Sequence, residues 1–394
     1  MQAQSSVTAM PRYYSLRIAL FFGGYFLFGG VALPFFPIWL EVRGLTDTEI
    51  ASCIAIPMAL RVLLTPLAGA FADRAPNRRY AVRIFMVASV VIFLLAWPAE
   101  SYWALLISTG AAMILWHLSL PVAEALALTG VRRFGLDYGR MRFAGSLSFI
   151  LANLGAGAIL GFVVPEAIFW LLAAGLFATM IAGFLLPVTP PELRALDDAA
   201  KPPERPARQV LGNPALLMML AASGLVQASH GVVYSFGSIY WQQIGFSGVE
   251  IGALWAIGVV CEIMLFLWSG AFVRRLGDYG LLMIGTLAAV LRWSLFPLEL
   301  GLFGFLLIQC LHGLTFGATY LGTQHAIARI VPEEMTASAQ GIYAMITGIL
   351  MAGVVALAGP LYATFTAGAF ATMTVPALLA LVVLLIYRRL EAAS

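Results

Sequence analysis

The chain predicts an all-α membrane protein: twelve transmembrane helices arranged as two pseudo-symmetric six-helix bundles. Three observations predict it: composition, the alternation of cations between loops, and a short internal repeat. Of the 394 residues, 61% are hydrophobic and 10% charged, whereas a soluble domain carries about 25% charged residues. So little charge cannot cover a water-exposed surface. Apolar runs of about 20 residues recur along the chain, each long enough to cross a hydrocarbon core of roughly 30 Å.

Twelve such runs fall at about 16–40, 47–72, 80–97, 102–130, 138–163, 166–187, 214–242, 248–273, 279–298, 300–328, 336–360 and 366–388. The first is too long for a signal-peptide core and lacks a small-residue cleavage site, so it is expected to stay as a helix. A Pro-rich stretch of mixed charge, PVTPPELRALDDAAKPPERPARQVLGNP, separates the sixth run from the seventh. It cannot build a packed core. The expected organisation is therefore an N-terminal bundle over 1–187, a cytoplasmic linker over 188–213 and a C-terminal bundle over 214–394.

Orientation follows from Arg and Lys. With the N-terminus inside, 18 of these residues fall on the cytoplasmic side and only Arg43 in an outer loop. That bias predicts an inner-membrane, multi-pass protein with both termini cytoplasmic. A wrong span count would scramble the alternation.

The repeat supplies the symmetry. GAFADR (69–74) closes the second span and GAFVRR (270–275) the eighth, 201 residues later. Matching positions in two six-span halves point to a duplication of the parallel kind. Gly69, Asp73, Arg74, Arg78 and Arg79 resemble the signature loop of the major facilitator superfamily. The resemblance implies that Gly69, Asp73, Arg74 and Arg78 form a conformational latch. The second copy carries Val273 and Arg274 near the place of the acid, so its latch is expected to be weaker.

Longer stretches narrow the likeness. PVAEALAL (121–128), LDYGRMRFAGS (136–146), QASHGVVYSFGSIYWQ (227–242), GALWAIGVVCEIMLF (252–266), VLRW (290–293) and LIQCLHGLTFGATYL (307–321) resemble the phenylpropionate permease family. That family is a relative of the lactose permease and of nucleoside–proton symporters. The resemblance implies import of a small organic solute, an aromatic carboxylate first among them, with protons as the coupling ion and no other cofactor. An oligosaccharide or nucleoside symporter and a drug or metabolite exporter stand as alternatives. The exporter reading is weakened because GSLSFILANLGAGAILG (145–161) lacks the proline of the exporter motif.

A full charge at mid-bilayer costs at least about 2.5–3.5 kcal/mol on insertion scales, so each intramembrane charge is a functional candidate. They are Arg61, Glu124, Arg142, Glu262 and Arg292. Glu124 and Arg142 lie ten and eight residues from the turn near Phe134, hence within about 3 Å of the same depth. They are expected to meet across the hairpin as an ion pair, and both match substrate-contacting positions of the lactose permease. Glu262, Arg292 and His312 match that permease's coupling residues on spans eight, nine and ten. Thr315 stands where the permease has a second titratable Glu, so coupling would fall to Glu262 first and Glu124 second.

Arg61 is related to Glu262 by the same offset of 201. It is expected either to pair with an acid or to receive the substrate carboxylate; carbonyls of a neighbouring helix are the structural alternative. His117, seven residues before Glu124, would line the same cavity. His230 and Tyr234, four apart on one helix face, are further substrate-binding candidates. Tyr240 and Trp241, near the outer end of span seven, read as an interfacial belt. Gly23, Gly24, Gly29, Gly30, Gly145, Gly155, Gly157, Gly161, Gly341, Gly348 and Gly353 read as sites of close helix packing.

Cys53, Cys261 and Cys310 read as small apolar residues with neither pairing nor metal-ligand spacing. No nucleotide loop, metal cluster or catalytic triad appears, so an enzyme is not expected. A net charge of +3 gives no ground for nucleic acid as a partner. The expected partners are a small-molecule substrate and the lipid bilayer, with the chain acting as a monomer.

Overall fold

The computed structural model of the protein describes residues 10–188, 210–332 and 335–393. Most of the expected linker lies outside the described residues. Twelve helices cover nearly all of the described residues: α1 (Tyr14–Val42), α2 (Asp47–Arg74), α3 (Arg78–Leu94), α4 (Tyr102–Phe134), α5 (Tyr138–Ile159), α6 (Ile168–Leu185), α7 (Pro214–Gln243), α8 (Gly248–Leu267), α9 (Ser269–Leu295), α10 (Gly301–Ile330), α11 (Thr336–Phe365) and α12 (Gly368–Leu390). Ten of these segments are long and apolar enough to cross a membrane. The other two are α3 and α9, the third helix of each half. At 17 residues α3 is just short, while α9 begins with the charged Arg274, Arg275 and Asp278.

The duplication is visible in the caps. At the start of α2, Thr46 and Glu49 form a capping box, and Ser247 and Glu250 repeat it at the start of α8, again 201 residues on. Each box satisfies two backbone donors that the helix leaves open. The repeat also diverges. GAFADR belongs to the last turns of α2, whereas a break at Trp268 parts GAFVRR from α8 and leaves it as a short helical stretch ahead of Gly277. The chain bends there at Gly277, whose φ of 63° few other residues adopt readily.

Asp278, just after that bend, holds the basic end of the second half. Its carboxylate accepts from Arg329 Nε at 2.8 Å and from the Tyr279 amide, while Arg329 Nη2 donates to Tyr387 Oη at 3.3 Å. α9, α10 and α12 are tied at one point. The expectation of a weaker second clamp missed Asp278 because the acid has moved beyond the repeat. Asp278→Asn should lower stability by about 1 kcal/mol, the range for a half-exposed charge-assisted pair. Thermal unfolding in detergent reads this as a small drop in Tm with unchanged helix content.

Within the first half α1 packs on α5 and α6, and α4 on α2 and α3; within the second, α7 packs on α11 and α12, and α9 on α10 and α12. Two pseudo-equivalent pairs join the halves: α2 with α11, and α5 with α8. Their tightest contacts are glycine on backbone, at Gly157, Gly248 and Gly252 between α5 and α8 and at Gly359 on α2. All four lie toward the end opposite the basic loops. Gly155, Gly341 and Gly353, grouped with these by sequence, face open space.

Tyr240 and Trp241 are not an interfacial belt. They are 3% and 0% exposed and pack among Phe296, Phe305 and Phe370. Apolar depth, not the membrane surface, explains these rings.

Candidate substrate and coupling site

A central cavity runs between the halves in two lobes that share Phe26, Leu33, Phe149 and Tyr234. The polar lobe, ≈ 230 Å³, is lined by Arg142, Glu262, Arg292, Gln309 and His312. The apolar lobe, ≈ 380 Å³, is lined by rings and aliphatic groups with Arg61 and His117 among them. Its size alone reaches the roughly 300–1,000 Å³ of small-molecule sites.

The polar lobe is built on two irregular helices. α7 breaks at Ser229 and His230, and His230 Nδ1 lies 3.1 Å from the carbonyls of Val226 and Gln227 near that break. Carbonyls only accept, so Nδ1 carries the proton and Nε2 is an acceptor. Nε2 therefore takes the Thr315 hydroxyl proton at 3.0 Å, leaving Thr315 Oγ1 to accept from Arg292 Nη1 at 3.1 Å. α10 holds Thr315 in a π-helical turn, Gly313–Ala318, of the kind found at functional sites. Gly313 lets this turn lie against α8, since a Cβ there would stand 2.9 Å from the Cys261 carbonyl oxygen.

Arg292 is sealed at 1% exposure. Its Nη2 donates to Gln309 Oε1 at 2.6 Å and its Nη1 also lies 3.3 Å from His312 Nδ1. A guanidinium offers only donors, so His312 Nδ1 accepts and its Nε2–H faces Glu262 Oε2 at 3.7 Å. Glu262, His312, Arg292, Thr315 and His230 thus form one ordered chain. The structure brings the three predicted coupling residues together. Thr315, read from sequence as a lost acid, is the hydroxyl that joins two helices. His230 is 0% exposed with both nitrogens engaged, so it supports the wall and does not face the cavity. Tyr234 does face it.

The Glu124–Arg142 pair does not form. Arg142 stacks on Phe26 at 3.9 Å from the ring centroid and also lies over Phe22 at 5.7 Å. The expectation assumed that consecutive helices pack side by side. Here α5 packs on α1 and α8, while α4 packs on α2 and α3. Arg142 therefore points between the halves, where it lines the polar lobe together with Glu262. Gly145 makes room, because a Cβ there would meet Phe26 at 2.6 Å and Arg142 Nη1 at 3.0 Å. Glu124 lines neither lobe.

In the apolar lobe Arg61 contacts His117, with Nη1 2.9 Å from Nδ1 and 3.2 Å from Nε2. Tyr25 Oη also reaches His117 Nδ1 at 3.2 Å, and its ring stacks on Trp116 at 4.1 Å and 12°. Sequence reading missed Tyr25, Phe26, Trp116 and Gln309; uncharged residues in a chain this apolar carry no signal of their own.

The predicted latch residues sit at the foot of α2. Arg78 donates to Asp73 through Nε at 3.1 Å and Nη2 at 3.0 Å, closing the loop from α2 into α3, and Asn77 caps α3. Arg74 ends α2, and Gly69 faces open space. Among the described residues no group of three His, Cys, Asp or Glu could hold a metal.

A duplicated twelve-helix fold around a charged central cavity is the arrangement of a membrane transporter, and residues 13–372 match the MFS_1-like family. The chain belongs to that family. It is a transporter of the major facilitator type, not an enzyme. A protein described as a probable 3-phenylpropionic acid transporter from Escherichia coli strain K12 is 29% identical over 367 residues, covering 92% of this chain and 94% of the other. A maltose permease from Geobacillus stearothermophilus is 22% identical, over 87% of this chain and 84% of the permease. In fold, the chain is similar to the crystal structure of nucleoside transporter NupG, with a TM-score of 0.81 at 17% identity over 96% and 98% of the two chains. It is also similar to a bacterial homologue of the lysosomal transporter Spinster in its inward-facing, occupied conformation, with a TM-score of 0.72 at 15% identity over 97% and 98%.

Proposed function

We propose that the protein imports a small aromatic monocarboxylate together with a proton, by alternating access across a bacterial inner membrane with both termini in the cytoplasm. The observation that carries this reading is a charge surplus. Three arginines, Arg61, Arg142 and Arg292, stand in the core against two acids, Glu124 and Glu262. Buried charge is stable when balanced, so one further anion is favoured there. The shared wall of Phe26, Phe149 and Tyr234 suits a planar ring. A sugar would need many hydrogen-bond partners, and the apolar lobe has few. The relative described as a 3-phenylpropionic acid transporter supports the same class.

In this reading Glu262 is the proton carrier, His312 and Arg292 set its surroundings, and Arg142 links the two halves electrically. The Asp73–Arg78 pair braces the α2–α3 loop of the first half, while the closures at Gly157 and Gly359 open and shut as the halves rock. The basic loops mark the cytoplasmic side, so the conformation described here is closed to the outside. Proteoliposome uptake of 3-phenylpropionate, maltose and a nucleoside, with and without an inward proton gradient, tests the proposal. The aromatic acid should enter faster than into protein-free vesicles and faster still with the gradient. Uptake of sugar or nucleoside without acid would overturn it.

A further inference from the structure

The duplication places Arg61 of α2 at the position of Glu262 in α8, and the fourth helix of each half brings a histidine to it. In the second half the arrangement is carboxylate on histidine, with Arg292 behind. In the first half a guanidinium takes the carboxylate's position against His117, and among the described residues no acid is bonded to it.

Arg61 differs from the other two core arginines in how it is satisfied. Arg292 is sealed among His312, Thr315 and Gln309, and Arg142 stacks on Phe26 and shares the polar lobe with Glu262. Arg61 spends only Nη1, on His117. Among the described residues its Nε and Nη2 have no partner, and these two donors form the side of a guanidinium that grips a carboxylate with two parallel bonds. Arg61 lines the apolar lobe beside Tyr25, Phe28, Met58 and Trp116. Low local polarity strengthens such a bond.

We propose that Arg61 is the receptor for the substrate carboxylate. His117 and Tyr25 hold the guanidinium from behind, and the ring of the ligand lies against Trp116 and Phe26. The inference rests on the proposed function and adds which cation sets specificity for acids. The second half uses its own carboxylate, Glu262, for the proton; the first half takes its carboxylate from the solute.

The test compares binding of 3-phenylpropionate and its neutral amide to purified protein, read by intrinsic tryptophan fluorescence. Wild type should prefer the acid. Arg61→Gln should weaken acid binding about 10–100-fold, the worth of a charge-assisted bond, with amide binding little changed. Arg61→Lys should restore part of the difference, since it returns charge without the fork. Met58→Glu, one turn away in the same lobe, should also reduce acid affinity by offering Arg61 an internal carboxylate, and it leaves the arginine in place if Arg61→Gln folds poorly. Undiminished acid preference in Arg61→Gln, or unchanged acid affinity in Met58→Glu, would overturn the receptor. Loss of that preference in Arg142→Gln alone would move the role there. If wild type binds no aromatic acid, the proposed function itself falls.

Discussion

In Glu262→Gln, substrate-driven proton entry falls to the level of protein-free vesicles while solute counterflow persists. The expectation follows from what surrounds the carboxylate in the proposed symport. Among the described residues Glu262 has one polar partner, His312 Nε2 at 3.7 Å, which is too long for a strong bond. Arg142, from the other half, lines the same lobe and faces the carboxylate across the gap between the halves. At an effective dielectric of about 20, unit charges about 4 Å apart interact by about 4 kcal/mol and charges about 8 Å apart by about 2 kcal/mol. A movement of a few ångströms between halves thus changes the cost of ionising Glu262 by kilocalories. That is how rocking can load and release a proton. Glutamine keeps the shape and an oxygen for His312 but cannot titrate.

The measurement needs care, because an aromatic acid crosses bilayers in its neutral form. The readout is the initial rate of internal acidification after external acid is added, above that of empty vesicles. An electroneutral proton–monoanion symport gains about 1.36 kcal/mol, or tenfold accumulation, per pH unit. Wild type should approach that gradient faster than empty vesicles, and Glu262→Gln should not. Normal proton entry in Glu262→Gln would remove Glu262 as the carrier, and Glu124 would be the next acid to replace.

Most of the fold was legible because apolar length and cation bias act locally. Each run of about 20 residues announces its own span, whatever lies far from it in the chain. The breaks were not legible. Ser229–His230 and the π turn at Gly313–Ala318 contain no proline; they persist because His230, Thr315 and Arg292 satisfy polar groups across three helices. The site was legible as a set of costly charges but not as partners. Depth along a helix can be counted from sequence, and it placed Glu124 and Arg142 level. Azimuth and neighbour cannot be counted, and α5 leaves α4 for α1 and α8. The symmetry offset was the better guide, since it paired Arg61 with Glu262 without assuming any contact.

Glycine shows the same limit, and it yields the second large effect. Gly157→Val should leave the end opposite the basic loops unable to close and abolish transport, whereas Gly155→Val should be nearly neutral. A Cβ at Gly157 would stand 2.2 Å from the Gly248 carbonyl oxygen, and one at Gly252 would stand 2.4 Å from that of Asn153. Both obstacles are backbone, so no side chain can turn away. α5 and α8 must separate, which breaks the contact that shuts this end. Two residues earlier, Gly155 faces open space and has nothing within 4 Å for a Cβ to meet. Single cysteines introduced on either side of the α5–α8 contact, labelled from outside with a membrane-impermeant thiol reagent, distinguish the two. Labelling should rise in Gly157→Val and stay at the wild-type level in Gly155→Val, with uptake lost only in the former. Full uptake by Gly157→Val would mean that the helices can part there without consequence, and the α5–α8 contact would then be packing and no gate.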